Sequence, residues 1–127
     1  MKLSAVHHIA VIASDYARAK EFYVEKLELP VIRELYREEM HDWKIDLQLA
    51  DDVELELFIK PDAPARVTRP EALGLRHLAF AVPDVPAAAA WLAQRGIPCE
   101  PIRTDPVTGR EMTFFFDPDG LPLELHG

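Results

Sequence analysis

The chain repeats itself, and this repeat constrains its fold more than any other feature of the sequence. Residues 5–15 read AVHHIAVIASD and residues 75–84 read LRHLAFAVPD, each with an aspartate seven positions after a histidine. A shift of 69 residues aligns His8 with His77, and a shift of 68 aligns Glu56 with Glu124, a leucine standing on either side of each glutamate. Self-similarity at one spacing is typical of a chain built from two copies of one structural unit.

Each copy is predicted to fold as one βαβββ module, which places the chain in the α+β class. Short apolar or alternating runs predict the strands, and an aspartate before an apolar 3.6-residue pattern predicts the start of each helix. In the first module, at about 4–60, we expect strands at 5–13, 31–38, 43–50 and 53–60, a helix at 16–27 capped by Asp15 and stopped by Pro30, and a turn at Asp51-Asp52. In the second, at about 75–127, we expect strands at 75–82, 98–103, 111–116 and 121–127, a helix at 85–95 capped by Asp84 and ended by Gly96, and a turn at 117–120. Residues 61–74 read as a linker, and the 127 residues together are the length of one domain.

Charge and composition exclude several classes of function. The net charge of −8 disfavours binding to nucleic acid or to anionic lipid. No apolar run is long enough to span a membrane, and the first residues lack the pattern of a secretory signal. The single cysteine, Cys99, excludes an internal disulfide. We therefore expect a cytoplasmic protein.

Two histidine–glutamate sets are the candidate functional residues. His8 precedes Glu56 by 48 residues and His77 precedes Glu124 by 47. A lone histidine in a core strand is more often hydrogen-bonded than a metal ligand, and a lone glutamate on a strand is usually solvated. Chance does not readily place all four at repeat-equivalent positions, and polar groups in apolar strands need partners. The pattern favours a shared metal ion over four unrelated polar residues.

Four stretches resemble one known family: HHIAVIASDYARAKEFYVEKL, VELELF, LRHLAFAV and DPDGLPLEL. They are similar to the vicinal oxygen chelate superfamily, in particular to its glyoxalase I-like branch, over nearly the whole chain. The resemblance implies paired βαβββ modules that form an open, curled mixed sheet around a divalent metal. It also implies that His8, Glu56, His77 and Glu124 are the ligands, and that the protein is a homodimer. Whether one chain or two complete each site stays open.

The number of ligands separates the branches of this family. Related extradiol dioxygenases and thiol transferases lack a ligand at the position of Glu56, and bleomycin-binding relatives have lost the metal ligands. Glyoxalase I-like and some epimerase-like members keep four, as this chain does. The resemblance therefore favours a metal-dependent lyase or isomerase. An epimerase, a thiol transferase, a dioxygenase and a protein that sequesters a small molecule are the alternatives.

Two nitrogen and two oxygen donors suit Ni²⁺, Zn²⁺, Co²⁺, Mn²⁺ or Fe²⁺. Such an ion would polarise a carbonyl of a substrate with adjacent oxygens and stabilise an enediolate. Glu56 or Glu124 would then move the proton between the two carbons as the catalytic base, and the repeat leaves the two equivalent.

The charge of the metal site bears on the choice of substrate. A divalent ion with two carboxylates is formally neutral, so an anionic substrate would need basic partners; Arg37, Lys60, Arg76, Arg103 and Arg110 are the candidates. For each of them a solvated surface charge is the alternative. Glyoxalase I enzymes usually place an arginine and an asparagine where this chain has Ile12 and Lys60, and both residues help to hold glutathione. The co-substrate could thus be glutathione or another thiol.

Overall fold

The computed structural model describes residues 1–50 and 52–127, and the chain divides into two compact units, residues 1–64 and 65–127. Asp51, which the sequence assigns to a turn, lies outside the described residues. Across these two stretches, no helix is both long and apolar enough to cross a membrane. That the two modules make up one domain stays a prediction.

The first unit has the predicted βαβββ order. Its elements are β1 (His8–Ala13), α1 (Tyr16–Lys20), a π-helical segment (Glu21–Lys26), β2 (Val31–Arg37), β3 (Asp42–Gln48) and β4 (Glu54–Ile59). The strands form a mixed sheet in the order β1-β4-β3-β2, with β1 parallel to β4 and the other neighbours antiparallel. The first and last strands of the module are therefore adjacent.

The second unit repeats this topology. It contains β5 (Leu78–Ala81), α2 (Val85–Gln94), β6 (Arg103–Thr104), β7 (Glu111–Phe116) and β8 (Pro122–His126). The sheet order is β5-β8-β7-β6, and β5 runs parallel to β8. The prediction of two tandem βαβββ modules with open mixed sheets is confirmed.

Register shows that the two units are equivalent residue by residue. Glu56 pairs with Ala10 on β1, and Glu124 pairs with Ala79 on β5. Because the side chains of a strand alternate between its faces, the leucines beside each glutamate point away from it. Leu55, Leu57 and Leu123 are fully buried. Each glutamate therefore lies on the sheet face opposite to these core leucines.

The helices begin as predicted, but the first does not continue as an α-helix. The carboxylates of Asp15 and Asp84 accept hydrogen bonds from the backbone N–H groups of Arg18 and Ala87, both at 2.8 Å. After one α-helical turn the first helix becomes π-helical, and it ends at Lys26, one residue before the predicted end at 27. Glu28, with φ of 57°, already turns the chain before the proline.

Some predicted strands are shorter than expected. β1 and β5 begin three residues later than predicted, and the strand expected at 98–103 is reduced to Arg103–Thr104. Pro98 and Pro101 lack the backbone N–H that a ladder needs, so a regular strand does not form there. One ladder-like bond remains between them, from Glu100 N–H to the Phe114 carbonyl at 2.8 Å.

Candidate metal centre

In the second unit, the parallel pairing of β5 with β8 brings His77 and Glu124 together. His77 stands immediately before β5, and its Nε2 lies 2.9 Å from Glu124 Oε2. The glutamate side chain is 7% exposed and the histidine 26%. On the other side of the ring, Nδ1 lies 3.3 Å from Arg76 Nη1. Since a guanidinium can only donate, this contact favours the tautomer whose Nε2–H donates to Glu124.

In the first unit, the same pairing brings His8 near Glu56. The distance from His8 Nε2 to Glu56 Oε2 is 3.8 Å. His8 is not buried as a core strand would make it, since its side chain is 45% exposed. Its ring meets that of His7 edge-on, with the two Nδ1 atoms 2.9 Å apart. His8 is exposed because only alternate residues of β1, Val11 and Ala13, face the core.

Both pairs have the separations that two ligands of one ion need. Ligand nitrogen and oxygen atoms lie about 2.1 Å from a divalent transition metal, so two ligand atoms on one ion are at most about 4.2 Å apart. The separations of 2.9 and 3.8 Å fall within that limit. Imidazole nitrogen and carboxylate oxygen are also donors that such ions accept. The two separations are therefore compatible with a shared ion, which at His77 would take the place of the Nε2 proton.

Sequence reasoning missed a cluster of charges around Glu56. The carboxylates of Asp46, Glu54 and Glu56 have oxygens within 4.8 Å of one another, and Asp46 is fully buried. Arg33 Nε lies 2.6 Å from Asp46, and Lys44 Nζ lies 3.0 Å from Asp46 and 3.3 Å from Glu56. The two cations hold these carboxylates together. The alternation of Lys44, Asp46 and Gln48 along β3 was the signal in the sequence.

Lys44 stays protonated in this cluster. Burial alone would lower the pKa of its ammonium group, but the hydrogen bonds to Asp46 and Glu56 outweigh burial and raise the pKa above its usual value. One oxygen of Glu56 thus faces a fixed positive charge, while the other faces His8.

The surroundings of Glu124 are different. Its partner on the neighbouring strand is Phe114, at the position that Asp46 holds opposite Glu56. The Phe114 ring meets the His77 ring edge-on, with centroids 5.2 Å apart. An apolar ring thus replaces the charged cluster of the first unit. The two glutamates occupy equivalent positions but are not in equivalent environments.

Two of the basic residues predicted to hold a substrate are engaged elsewhere. Arg37 donates two hydrogen bonds to the carboxylate of Asp42, both at 2.6 Å, and Lys60 donates a third at 2.8 Å. The hydrogen bonds from Arg37, and then from Lys60, hold the pKa of Asp42 well below its usual range. Arg37 and Lys60 therefore form an ion-pair cluster at the end of the β2–β3 hairpin.

The other three basic residues lie in the second unit. Arg76 and Arg103 line a cavity of about 200 Å³ that His77 also lines, whereas Arg110 lies outside it. Arg66 and Arg69, which the sequence placed in a linker, line the same cavity. No periodic pattern marks residues 61–74, so their place in the wall of a cavity could not be predicted from sequence.

Comparisons with known proteins agree with this architecture. Residues 5–125 match the family model of the Glyoxalase/Bleomycin resistance protein/Dioxygenase superfamily. The uncharacterized protein YwkD of Bacillus subtilis (strain 168) is 57% identical over 126 residues, covering 99% of this chain and 98% of that protein. A crystal structure of a glyoxalase family protein from Enterococcus faecalis has a TM-score of 0.95 and 54% identity, with 100% of both chains covered.

A more distant relative has a named activity. A 2-epi-5-epi-valiolone epimerase from Actinomyces sp. is 34% identical over 142 residues, which cover 95% of this chain and 78% of the epimerase. The repeat, the topology of both sheets and the match over residues 5–125 lead to one conclusion. The chain belongs to the Glyoxalase/Bleomycin resistance protein/Dioxygenase superfamily.

Proposed function

We propose that this protein is a divalent-metal-dependent lyase or isomerase of the glyoxalase I-like type, with His8, Glu56, His77 and Glu124 as metal ligands. The observation that carries the proposal is the approach of a histidine to a glutamate at equivalent positions in both units, at 3.8 and 2.9 Å. The donor set suits Ni²⁺, Zn²⁺, Co²⁺, Mn²⁺ or Fe²⁺. The substrate would be a small molecule with oxygens on adjacent carbons.

A bound divalent ion would supply a Lewis acid that stabilises the negative charge of an enediolate. The chain's own contribution is proton transfer. A carboxylate beside the substrate takes the proton from one carbon and returns it to the next, as a base and then as an acid. Glu56 and Glu124 are the candidates for this role. Lys44 holds one oxygen of Glu56. The residue that pairs with Glu124 on the neighbouring strand is instead the apolar Phe114.

An epimerase is the second candidate, and the 34% identity to the valiolone epimerase favours it specifically. Epimerisation also removes a proton beside a carbonyl, so the same carboxylates would serve. The two activities differ in their product. A glyoxalase I-like enzyme converts a hemithioacetal into a hydroxyacyl thioester, whereas an epimerase returns the proton to the carbon that lost it.

The test is a substrate screen in deuterated water. Methylglyoxal is combined separately with glutathione, cysteine and coenzyme A, and a set of cyclic and linear α-hydroxyketones is tested without thiol. Metal-dependent thioester formation supports the lyase, and deuterium incorporation into a hydroxyketone without a thioester supports the epimerase. Conversion that persists after chelation of all metal, or no conversion by the metal-loaded protein, contradicts the proposal.

A further inference from the structure

The second unit carries a positively charged cavity beside His77. Four arginines line it, Arg66, Arg69, Arg76 and Arg103, against two glutamates. The four arginines and two glutamates give the lining two net positive charges, on a chain whose net charge is −8. A local charge of the opposite sign to that of the whole protein is typical of a site that recognises an anion.

The four arginines are not equally available. Arg66 Nη2 donates to the carbonyls of Leu75 and Arg76 at 2.8 and 2.9 Å, so it fixes the segment that leads into β5. Arg76 pairs with Glu71 at 2.7 Å. Arg66 and Arg76 therefore build the wall of the cavity.

Arg69 and Arg103 are held less tightly than Arg66 and Arg76 and can turn towards a ligand. Among the residues that the structure describes, Arg69 has neither a hydrogen bond nor an ion pair, and Arg103 makes only a long ion pair with Glu100, with 4.0 Å between Nη2 and Oε2. The Arg103 guanidinium lies over the Phe114 ring, 5.7 Å from its centroid. A planar guanidinium suits a carboxylate or a phosphate, to which it can donate two parallel hydrogen bonds.

The size of the cavity suits a small metabolite. Its volume is about 200 Å³. Because His77 and Phe114 line the same cavity, a molecule held there by an anionic group extends to the candidate metal ligand. The cavity thus places positively charged side chains beside the candidate metal ligand His77.

We propose that Arg69 and Arg103 bind a carboxylate or phosphate group of the substrate, so that the natural substrate is a small anionic α-hydroxycarbonyl compound. This inference rests on the proposed function. It assigns to the substrate a charge that the formally neutral metal site would not attract. It also gives a role to the segment of residues 65–74, which forms one side of the cavity.

The test is isothermal titration of the full-length protein with orthophosphate and, separately, with malonate, at constant ionic strength set by chloride. We compare the wild type with Arg69→Gln, Arg103→Gln and Arg18→Gln. The last variant is the matched control, since it removes the same charge from an exposed arginine on α1 of the first unit, outside the cavity. Two cavity variants are used so that the result does not depend on the folding of either one.

We expect saturable binding of at least one probe, weakened roughly tenfold to a hundredfold in Arg69→Gln and Arg103→Gln, the range for loss of a charge-assisted hydrogen bond. Arg18→Gln should stay within about twofold of the wild type. Tighter binding of orthophosphate indicates a phosphorylated substrate, and tighter binding of malonate a carboxylated one. No saturation by either probe, or equal weakening in all three variants, would overturn the inference.

Each titration is repeated after a chelator has been used and removed. Binding that survives this step belongs to the arginines and stands even where the metal proposal fails. Binding that requires metal overturns the arginine site and leaves the proposed function standing.

Discussion

At the scale of single residues, the two glutamates combine two roles that can be separated by substitution. Glutamine at Glu56 or Glu124 keeps the size and one ligand oxygen but removes the basic group. We expect each variant to retain part of its metal. The variant at the position that acts as the base should also lose turnover, by roughly 10²-fold or more. Steady-state kinetics with matched metal analysis measure this. Full turnover in both glutamine variants would show that neither carboxylate transfers the proton.

Two further residues bear on the thiol. Ile12 is exposed on β1, and Lys60 is bound to Asp42, so neither provides the polar contact usual for glutathione in glyoxalase I enzymes. We expect weak or no turnover of the methylglyoxal–glutathione adduct and better turnover of another thiol adduct or of a thiol-free substrate. Values of kcat/KM across these substrates test this. A value near 10⁵ M⁻¹s⁻¹ for the glutathione adduct, on the order of ordinary enzymes, would contradict it.

Asp42 makes stability depend on pH in a defined direction. Its pKa is lowered in the folded protein by hydrogen bonds from Arg37 and then Lys60, so its carboxylate favours folding above the pKa of the unfolded chain, about 4. That contribution is lost as the pH falls from about 4 towards the lower folded pKa. Asp42→Asn should therefore melt below the wild type at pH 7, and the gap should narrow below pH 4. Thermal melts across this range measure it, and a constant gap would contradict the assignment.

At the scale of elements, the contribution of a helix N-cap to stability can be measured separately from the candidate metal site. The Asp84 carboxylate caps α2 by accepting a hydrogen bond from the Ala87 N–H, and Asp84 is not one of the candidate metal ligands. We expect Asp84→Ala to lower the free energy of unfolding by about 1 kcal/mol and the melting temperature by about 4 °C. Asp84→Asn, which can still cap, is the control and should lose much less. Equal losses in both variants would show that charge, not the cap, matters there.

Elements with a local signal were the ones that sequence could predict. The caps Asp15 and Asp84, the strand Glu111–Phe116 and the positions of the paired histidines and glutamates depend on short-range patterns or on the repeat. The charges around Glu56 depend on cross-strand neighbours. Arg33, Lys44 and Asp46 lie on two strands, and only the sheet register brings them together. The cavity arginines of residues 65–74 carry no periodic signal at all.

At the scale of the whole molecule, we predict a homodimer, as the family resemblance implies. β2 is an edge strand of its sheet and exposes four large apolar residues, Val31, Ile32, Leu35 and Tyr36. An exposed apolar edge is usually covered by another chain or element. Light scattering at high protein concentration should give twice the 14.4 kDa chain mass. A particle of the single-chain mass would refute the dimer.

The central claim is that the two histidine–glutamate sets hold a divalent metal, and elemental analysis of the purified protein tests it most directly. We predict bound divalent metal in the wild type and in the control His41→Asn, which alters an exposed histidine outside both sets at a left-handed position that asparagine tolerates. His8→Ala and His77→Ala should lose the metal and melt at lower temperature, because a ligand that binds only the folded state stabilises it. Metal content in His77→Ala equal to that of the wild type would contradict the account.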